Sequence, residues 1–567
     1  MRPHPGPLTV ALAVASFAIA GACARRTVEP LEALPATASA PGAAATIAGH
    51  PVRLDARGQL LSWSTADSPY AHVVSLAWHA LETKFPVQDN GVETWLAHSR
   101  FDPVTFEGVN WPHNPAGLYA MLTDSAVLWY AFSGDRAAID LARKALAYQL
   151  AHGTTPGDWQ WARVPYASAN ADDVEYRGAD DSWCNGCGSG DGPGVIEPDK
   201  IGELGFAYLQ MFEVTGDARL RDAAIACADA LATHVRPGDA RRSPWPFRVD
   251  AATGGAREEY SANVVGALML FDELGRLSLG NVREYAAARA TALAWLLRVP
   301  MKNDAWSGYF EDIAIAFDPG ENPNQYAALR TARWLMAHPD DDPAWRDHAA
   351  HLLSWTAALF GVDTPAERGS QYGALVLSEQ ARDMAKMGSH TARFGATSAL
   401  WAAATGDRAA REVAAHSLDW ATYTCREDGV VSVGEDERQG WWFSDGYGDY
   451  IRHFLVAMGA VPEWGPSGEN HLVRSTSVVR EIAYRPGRVE WSTFDGDATD
   501  TLRLTSRPLG VTAAGLRLRE RRDLDGEGFV VRSLAGGGAI VRVHHRVPGT
   551  VVVRALTPAT ARVRTDP

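Results

Sequence analysis

Cysteine is scarce in this chain: Cys23, Cys184, Cys187, Cys227 and Cys425 are five residues in 567, too few for a disulfide-built scaffold. Cys184-Asn185-Gly186-Cys187 is half of a zinc motif, but no second Cys-x-x-Cys or closely spaced His pair completes it, so no metal site is expected there. In an oxidising compartment the pair reads as a local disulfide or as two free thiols. Lysine is missing from residues 471 to 567, which hold 16 Arg against 10 acidic residues; that net +6 within a whole-chain charge of −15 leaves −21 for the rest. A main body so acidic argues against nucleic acid as a partner. Long hydrophobic runs are missing as well, since the apolar stretch from Leu8 to Ala20 falls far short of a membrane span.

What is there begins with an export signal. Arg2, that apolar stretch and the small residues up to Cys23 have the order of a cleavable leader. Ala20-Gly21-Ala22-Cys23 resembles the lipobox of bacterial lipoproteins, although the usual Leu is missing from its first position. The resemblance implies lipidation of Cys23 and a place on the periplasmic side of the cell envelope, with the lipid as the sole membrane attachment; a plain cleaved signal is the alternative. Residues 24 to 62, rich in Ala, Pro and Thr, read as a flexible tether.

The body is built of repeats. In Asp199 to Val235 an apolar segment, Ile201 to Phe212, is followed after Thr215-Gly216-Asp217 by a helix with one apolar stripe, Leu220, Ala224, Cys227 and Leu231. Gly216 suits a helix C-terminus and Asp217 the cap of the next helix, so the unit is a helical hairpin with a buried inner member and a half-exposed outer one. The unit recurs around Ser133-Gly134-Asp135 and Thr405-Gly406-Asp407, with looser copies at Leu279-Gly280-Asn281 and His338-Pro339-Asp340. Unpaired helices near Tyr70–Lys84 and Ser444–Ala460 form a sixth pair, which closes a ring spanning residues 63 to 465. From 470 to 567, runs at 477–484, 488–494, 501–505, 528–534, 539–545 and 550–556 alternate apolar with polar residues between Gly-rich breaks. That is the pattern of an antiparallel β-sandwich.

The two faces of the ring differ. Turns from inner to outer helices are short, whereas the returns are long and hold nine of the 20 tryptophans: Trp95, Trp111, Trp159, Trp161, Trp183, Trp245, Trp306, Trp441 and Trp442. Long loops in a compact domain are usually functional. About half of these indoles are needed for packing the loops, and the rest predict an aromatic surface suited to sugar rings.

Six hairpins with Thr/Ser-Gly-Asp turns, aromatic loops on one face, an export signal and a C-terminal β domain resemble the six-hairpin, (α/α)6-toroid glycosidase superfamily. The likeness covers roughly residues 65 to 460 and is architectural; no single family's catalytic motif is present. It implies an oligosaccharide or polysaccharide substrate, and hydrolysis, uronate elimination or sugar epimerisation as the reaction.

Candidate site residues lie where the inner helices begin. Glu203, a full turn inside an apolar inner helix, is expected to be held protonated as a general acid unless Lys200 pairs with it. Asp449 or Asp445, from Ser444-Asp445-Gly446-Tyr447-Gly448-Asp449, supplies the second carboxylate that glycoside hydrolysis needs. Trp111, His113, Asn114, Lys200, Tyr260, Asn263, Asp312, His390, Arg393, Trp441, Trp442 and Tyr447 are expected to bind substrate. For a lyase, His113, Tyr260 or Tyr447 is the base and Asn114, Asn263 or Arg393 neutralises the uronate. A non-catalytic glycan-binding lipoprotein using the same face is the reading from another class. No cofactor is expected; the acidic loop 172–191 offers oxygen ligands for calcium but lacks the EF-hand spacing, and reads as a solvated loop.

Overall fold

The computed structural model describes residues 45–180, 191–309, 322–362, 372–381, 385–435 and 440–555. Cys23, Trp183, Cys184, Cys187, Asp312 and the leader with most of the tether lie outside the described residues.

Twelve helices make the ring: α1 (Pro69–Thr83), α2 (Pro115–Ser133), α3 (Arg136–His152), α4 (Pro198–Thr215), α5 (Ala218–His234), α6 (Val265–Leu277), α7 (Val282–Arg298), α8 (Gln325–Ala337), α9 (Trp345–Phe360), α10 (Gly388–Thr405), α11 (Arg408–Thr422) and α12 (Tyr450–Ala460). The inner members touch in the closed order α2, α4, α6, α8, α10, α12 and back to α2. α1 packs on α12 as the outer half of the sixth pair. The fold is therefore a six-hairpin (α/α) toroid.

The sequence dictates this locally. Gly134, Gly216 and Gly406 end their inner helices in the left-handed region at φ 79°, 75° and 79°, where a side chain is strained. Asp135, Asp217 and Asp407 then accept backbone N–H groups of the next helix. Inner helices are apolar nearly all round, as in α2, where 15 residues from Pro115 to Phe132 are buried, whereas α5 buries only one stripe, including Leu220, Ala224, Cys227 and Leu231.

Residues 45 to 62 correct the tether. Thr46–Ile47 pairs with His50–Pro51 and Arg53–Leu54 with Leu60–Leu61. His50 stacks on Trp63 at 4.1 Å, and the Tyr423 hydroxyl bonds Arg53 N and Leu61 O at 3.0 and 2.9 Å. This stretch is folded onto the end of α11 and the residues that follow it.

The C-terminal domain has nine strands among the described residues: β1 (His471–Ser475), β2 (Val479–Arg485), β3 (Arg488–Thr493), β4 (Ala498–Leu504), β5 (Pro508–Ala513), β6 (Leu516–Arg517), β7 (Gly528–Ser533), β8 (Ala539–His545) and β9 (Val551–Ala555). They form two antiparallel sheets, β1-β4-β8-β7 and β2-β3-β9-β5-β6. Val489, Trp491, Leu502, Val541, Val543, Val551 and Val553 fill the core. The alternation of the sequence predicts six of these strands; β1, β5 and β6 are additional. The sandwich docks on the short-turn face of the ring, where Tyr484 Oη and His471 Nδ1 reach the carbonyls of Ala131 and Phe132 at the end of α2.

Candidate active site

Glu203 owes its position to two glycines. A Cβ on Gly202 would lie 2.5 Å from Ala267 N, and one on Gly266 would lie 2.7 Å from Glu203 Cγ, so α4 and α6 cross backbone to backbone. The carboxylate is thereby held inside the ring with no exposed side-chain surface. Its Oε1 accepts from Asn263 Nδ2 at 2.9 Å and pairs with Arg330 Nη1 at 2.8 Å. Burial pushes the group up, yet Arg330, Lys200 and the Asn263 amide hold it, on balance, below the usual carboxylate range. Glu203 is therefore ionised, which corrects the expectation of a buried acid kept protonated. Lys200 is not its ion-pair partner either: the ammonium lies 3.1 Å from Asp199 and 3.4 Å from Glu197 and donates to Tyr309 O. The second oxygen, Oε2, is buried without a hydrogen-bond partner among the described residues.

The other two predicted carboxylates sit on a π turn, Ser444–Asp449, that leads into α12 and is closed by Tyr450 N donating to Asp445 O. Gly448 lets it settle against α2: Ser125 Oγ donates to Gly448 O at 2.7 Å, and a Cβ there would stand 3.2 Å from Leu118. Single-turn π segments recur at functional sites. Asp449 is clamped by Arg393, by Arg452 (Nε at 3.0 Å) and by His453 Nε2 at 3.0 Å. Burial opposes its charge, but Arg393, His453 and Arg452 hold it well below the usual range. A carboxylate so fully engaged is a weak base and an ionised one. Asp445 differs: it is half-buried, bonded to Ser389 Oγ at 3.2 Å, and burial with the charge of Asp449 pushes it up to about 7. Of the three predicted carboxylates it is Asp445 that keeps a proton near neutrality.

Inside the ring lies a cavity of about 220 Å³ whose lining includes Glu203, Tyr326, Arg330, Arg333, Arg393, Arg452, His453 and Asp124; Asp445 and Asp449 are not on that lining, Asp449 being bonded to Arg393, Arg452 and His453. Tyr326 links its two sides, taking a hydrogen bond from Arg330 and lying under the Arg393 guanidinium at 4.6 Å. Arg393 also donates to Gln325 Oε1 at 2.9 Å. Arg333 stands apart from the other guanidiniums. It donates to Thr397 Oγ1, Arg393 O and His453 Nδ1 at 2.8 to 3.2 Å, and no carboxylate among the described residues lies within ion-pair distance. Burial, with Arg452 and Arg393 close by, pulls it down to about 9. His453 and His390 are kept neutral by burial, His390 at about 3.

Other predicted residues serve the loops. His113 is fully buried, bonded to Ser99 Oγ and packed on Tyr119 and Tyr176. The Tyr260 hydroxyl donates to Ala305 O at 2.7 Å and that of Tyr447 to Gly429 O at 3.1 Å, each ring lying in an aromatic cluster. These three are occupied in packing, which corrects their assignment as lyase bases. Of the loop tryptophans, Trp95, Trp161, Trp245 and Trp306 are core residues. Trp111, Trp159, Trp441 and Trp442 are half-buried, with Trp111 set edge-on to Trp442 at 5.0 Å and Arg100 over both. Asn114 is half-buried ahead of α2, its N–H donating to Ser99 Oγ and its Oδ1 buried without a hydrogen-bond partner among the described residues. The acidic loop is divided among separate partners: Asp172 with His98, Glu175 with His152, Asp191 with Arg248 and Ser168. Among the described residues no group of three or more His, Cys, Asp or Glu side chains is arranged to hold a metal, and no helix is long and apolar enough to cross a membrane.

Arg330 and Arg333 went unread in the sequence. Their signal was the one that marked Glu203: charges one and two turns inside an otherwise apolar inner helix, Tyr326 to Leu335.

The chain matches no protein family and no curated protein by sequence. Among solved structures it is similar to a D-mannose isomerase (12% identity, 71% of this chain and 99% of the other, TM-score 0.48). It is also similar to the cellobiose 2-epimerase of Spirochaeta thermophila (14%, 69% and 97%, TM-score 0.47). A third is a family 76 glycoside hydrolase from a bovine Bacteroides thetaiotaomicron strain (10%, 69% and 78%, TM-score 0.46).

Proposed function

We propose that this protein is a carbohydrate-active enzyme that hydrolyses a glycosidic bond next to an anionic sugar. The observation that carries the reading is Arg333, a cation with no carboxylate partner among the described residues, on the wall of a largely apolar cavity it shares with Arg330, Arg393 and Arg452. A guanidinium without a counter-charge in such a place is held at a cost, and a ligand carboxylate relieves it through a charge-assisted bond to Nη1, the one nitrogen not already donating. The roles of the carboxylates are the reverse of those expected. Asp445, beside Asp449 on the π turn and not on the cavity lining, is proposed as the proton donor to the leaving oxygen as the bond to the anomeric carbon breaks, which requires the substrate to reach from the lumen to that turn. Glu203, ionised, uses its free Oε2 to orient the attacking water and take its proton, and faces the positive charge that builds on the ring. Asp449 positions Arg393, Arg452 and His453. The test is a panel of uronic-acid oligosaccharides against the same sugars with the carboxyl reduced. Cleavage confined to the acidic set supports the reading; equal cleavage of both sets removes the role of Arg333.

One observation favours a second reading, proton abstraction from a sugar carbon: His390 and His453 are two buried, neutral imidazoles near Arg393. Deuterium from solvent appearing on a sugar carbon, without new reducing ends, marks that chemistry. Export and lipidation at Cys23 belong to the same proposal, and Cys23→Ser is expected to move the protein from the membrane fraction to the soluble one; a wild type already soluble contradicts it.

A further inference from the structure

The lumen does not end at Glu203. Its lining follows α8 from Tyr326 through Arg330, Arg333 and Trp334 to Ala337 and His338, a path of about 18 Å at the rise of an α-helix. That path leads away from the long loops to the short-turn face. On the long-loop side Tyr309 lies flat on Tyr326 at 4.1 Å, with the Lys200 ammonium 4.2 Å from the Tyr309 ring. At the other end two half-exposed residues of α4, Phe206 and Gln210, line the lumen and also line a second cavity of about 310 Å³ between the ring and the β-sandwich. The second cavity is walled by Glu213, Glu273 and Arg276 of the ring and by Ser475, Thr476 and Asp495 of the sandwich. An aromatic ring beside an amide at the neck, followed by hydroxyls and charged groups, is a lining suited to a sugar, whose faces are apolar and whose rim is hydroxylic.

We infer that the lumen opens at its short-turn end, and that the cavity between the two domains is a second glycan subsite through which the freed sugar leaves the lumen. This rests on the proposed hydrolysis of a glycan. It gives the β-sandwich a task, since β1 and the turn after it form the outer wall of the subsite.

The test blocks the path at two points away from the chemistry, with Gln210→Trp at the neck and Thr476→Trp on the outer wall. Thr476 is exposed, so that variant is expected to fold and to melt with the wild type. In rapid-mixing experiments on a uronic-acid oligosaccharide, both variants should keep the first turnover within about twofold of wild type and slow later turnovers about tenfold, giving a product burst. Folded variants with unchanged steady-state rates overturn the exit. A first turnover reduced as much as the later ones also overturns it, because the residues then act on the chemistry. A wild type that cleaves no glycan at all removes the hydrolase reading and the exit with it, an outcome distinct from both.

Discussion

Arg330 reaches across the lumen from α8 and pairs with Glu203 of α4 at 2.8 Å, so two inner helices separated by α6 are tied together through a buried charge. Such a pair contributes little as a pair, but removing one member leaves the other unpaired in a dry place, at about 3–5 kcal/mol. Glu203→Ala should therefore lower the melting temperature sharply. Glu203→Gln keeps the Asn263 contact and should cost less stability, while turnover falls about 10²–10⁴-fold and ligand affinity in calorimetry stays near wild type. Activity that persists in Glu203→Gln contradicts the role given to this carboxylate; lost binding together with lost activity points to a structural role alone.

Asp445 titrates at about 7, raised by burial and by its neighbour Asp449. A proton donor works only while protonated, so kcat/KM should be flat on the acidic side and fall as pH rises through about 7. Asp445→Asn should remove that limb together with most of the activity. A profile whose upper limb is unchanged in Asp445→Asn assigns the proton to another group.

Arg333 is a cation that the fold disfavours, its pKa pulled down to about 9 by burial and by Arg452 and Arg393. Replacing it with an uncharged side chain of similar length, Arg333→Met, relieves a disfavoured charge but takes the donor away from Thr397 Oγ1, Arg393 O and His453 Nδ1, so the melting temperature should fall modestly, while binding of an acidic sugar weakens by about 10–100-fold, the range for losing a hydrogen bond to a charged group. Affinity for a neutral sugar should hold. A stability loss with no change in selectivity would place Arg333 among the structural residues.

Where the domains meet, burial and the neighbouring Glu273 push Glu213 up to about 9, while Glu273 and Arg276 carry the charges, Arg276 reaching on to Asp495 of the sandwich. The folded state then binds a proton that the unfolded chain releases near 4.5, so stability is greatest below that value and declines as pH rises toward about 9. Glu213→Gln, which cannot release a proton, should flatten the decline in thermal melts. An identical slope in wild type and variant contradicts the assignment.

The ring was legible because its signals are local: an αL glycine, an aspartate cap and a 3.6-residue stripe repeat at each hairpin, and Gly134-Asp135, Gly216-Asp217 and Gly406-Asp407 behave as their chemistry requires. The positions of Glu203 and Asp449 inside the ring were legible for the same reason, since a charge in an apolar helix must be accommodated. Their protonation was not, because it depends on partners 56 to 127 residues away, Arg393 for Asp449 and Arg330 for Glu203, which only the closure of the ring brings into reach. The tryptophans divide as expected, since Trp95, Trp161, Trp245 and Trp306 fasten the long loops to the ring while Trp111, Trp159, Trp441 and Trp442 are half-buried; which of them would pack was not legible, because it depends on how the loops fold over the ring. Residues 45 to 62 escaped because two-residue strand pairs leave too short a pattern to separate from a polar tether.

The central claim is that the lumen hydrolyses a glycosidic bond beside a sugar carboxylate, and its most direct measurement is product analysis on a uronic-acid oligosaccharide in heavy-oxygen water. Hydrolysis predicts one new reducing end per cleavage, the heavy oxygen on the anomeric carbon, no ultraviolet-absorbing product, and loss of all of it in Asp445→Asn. An unsaturated, ultraviolet-absorbing product, or ligand binding with no cleavage in either protein, would contradict the account.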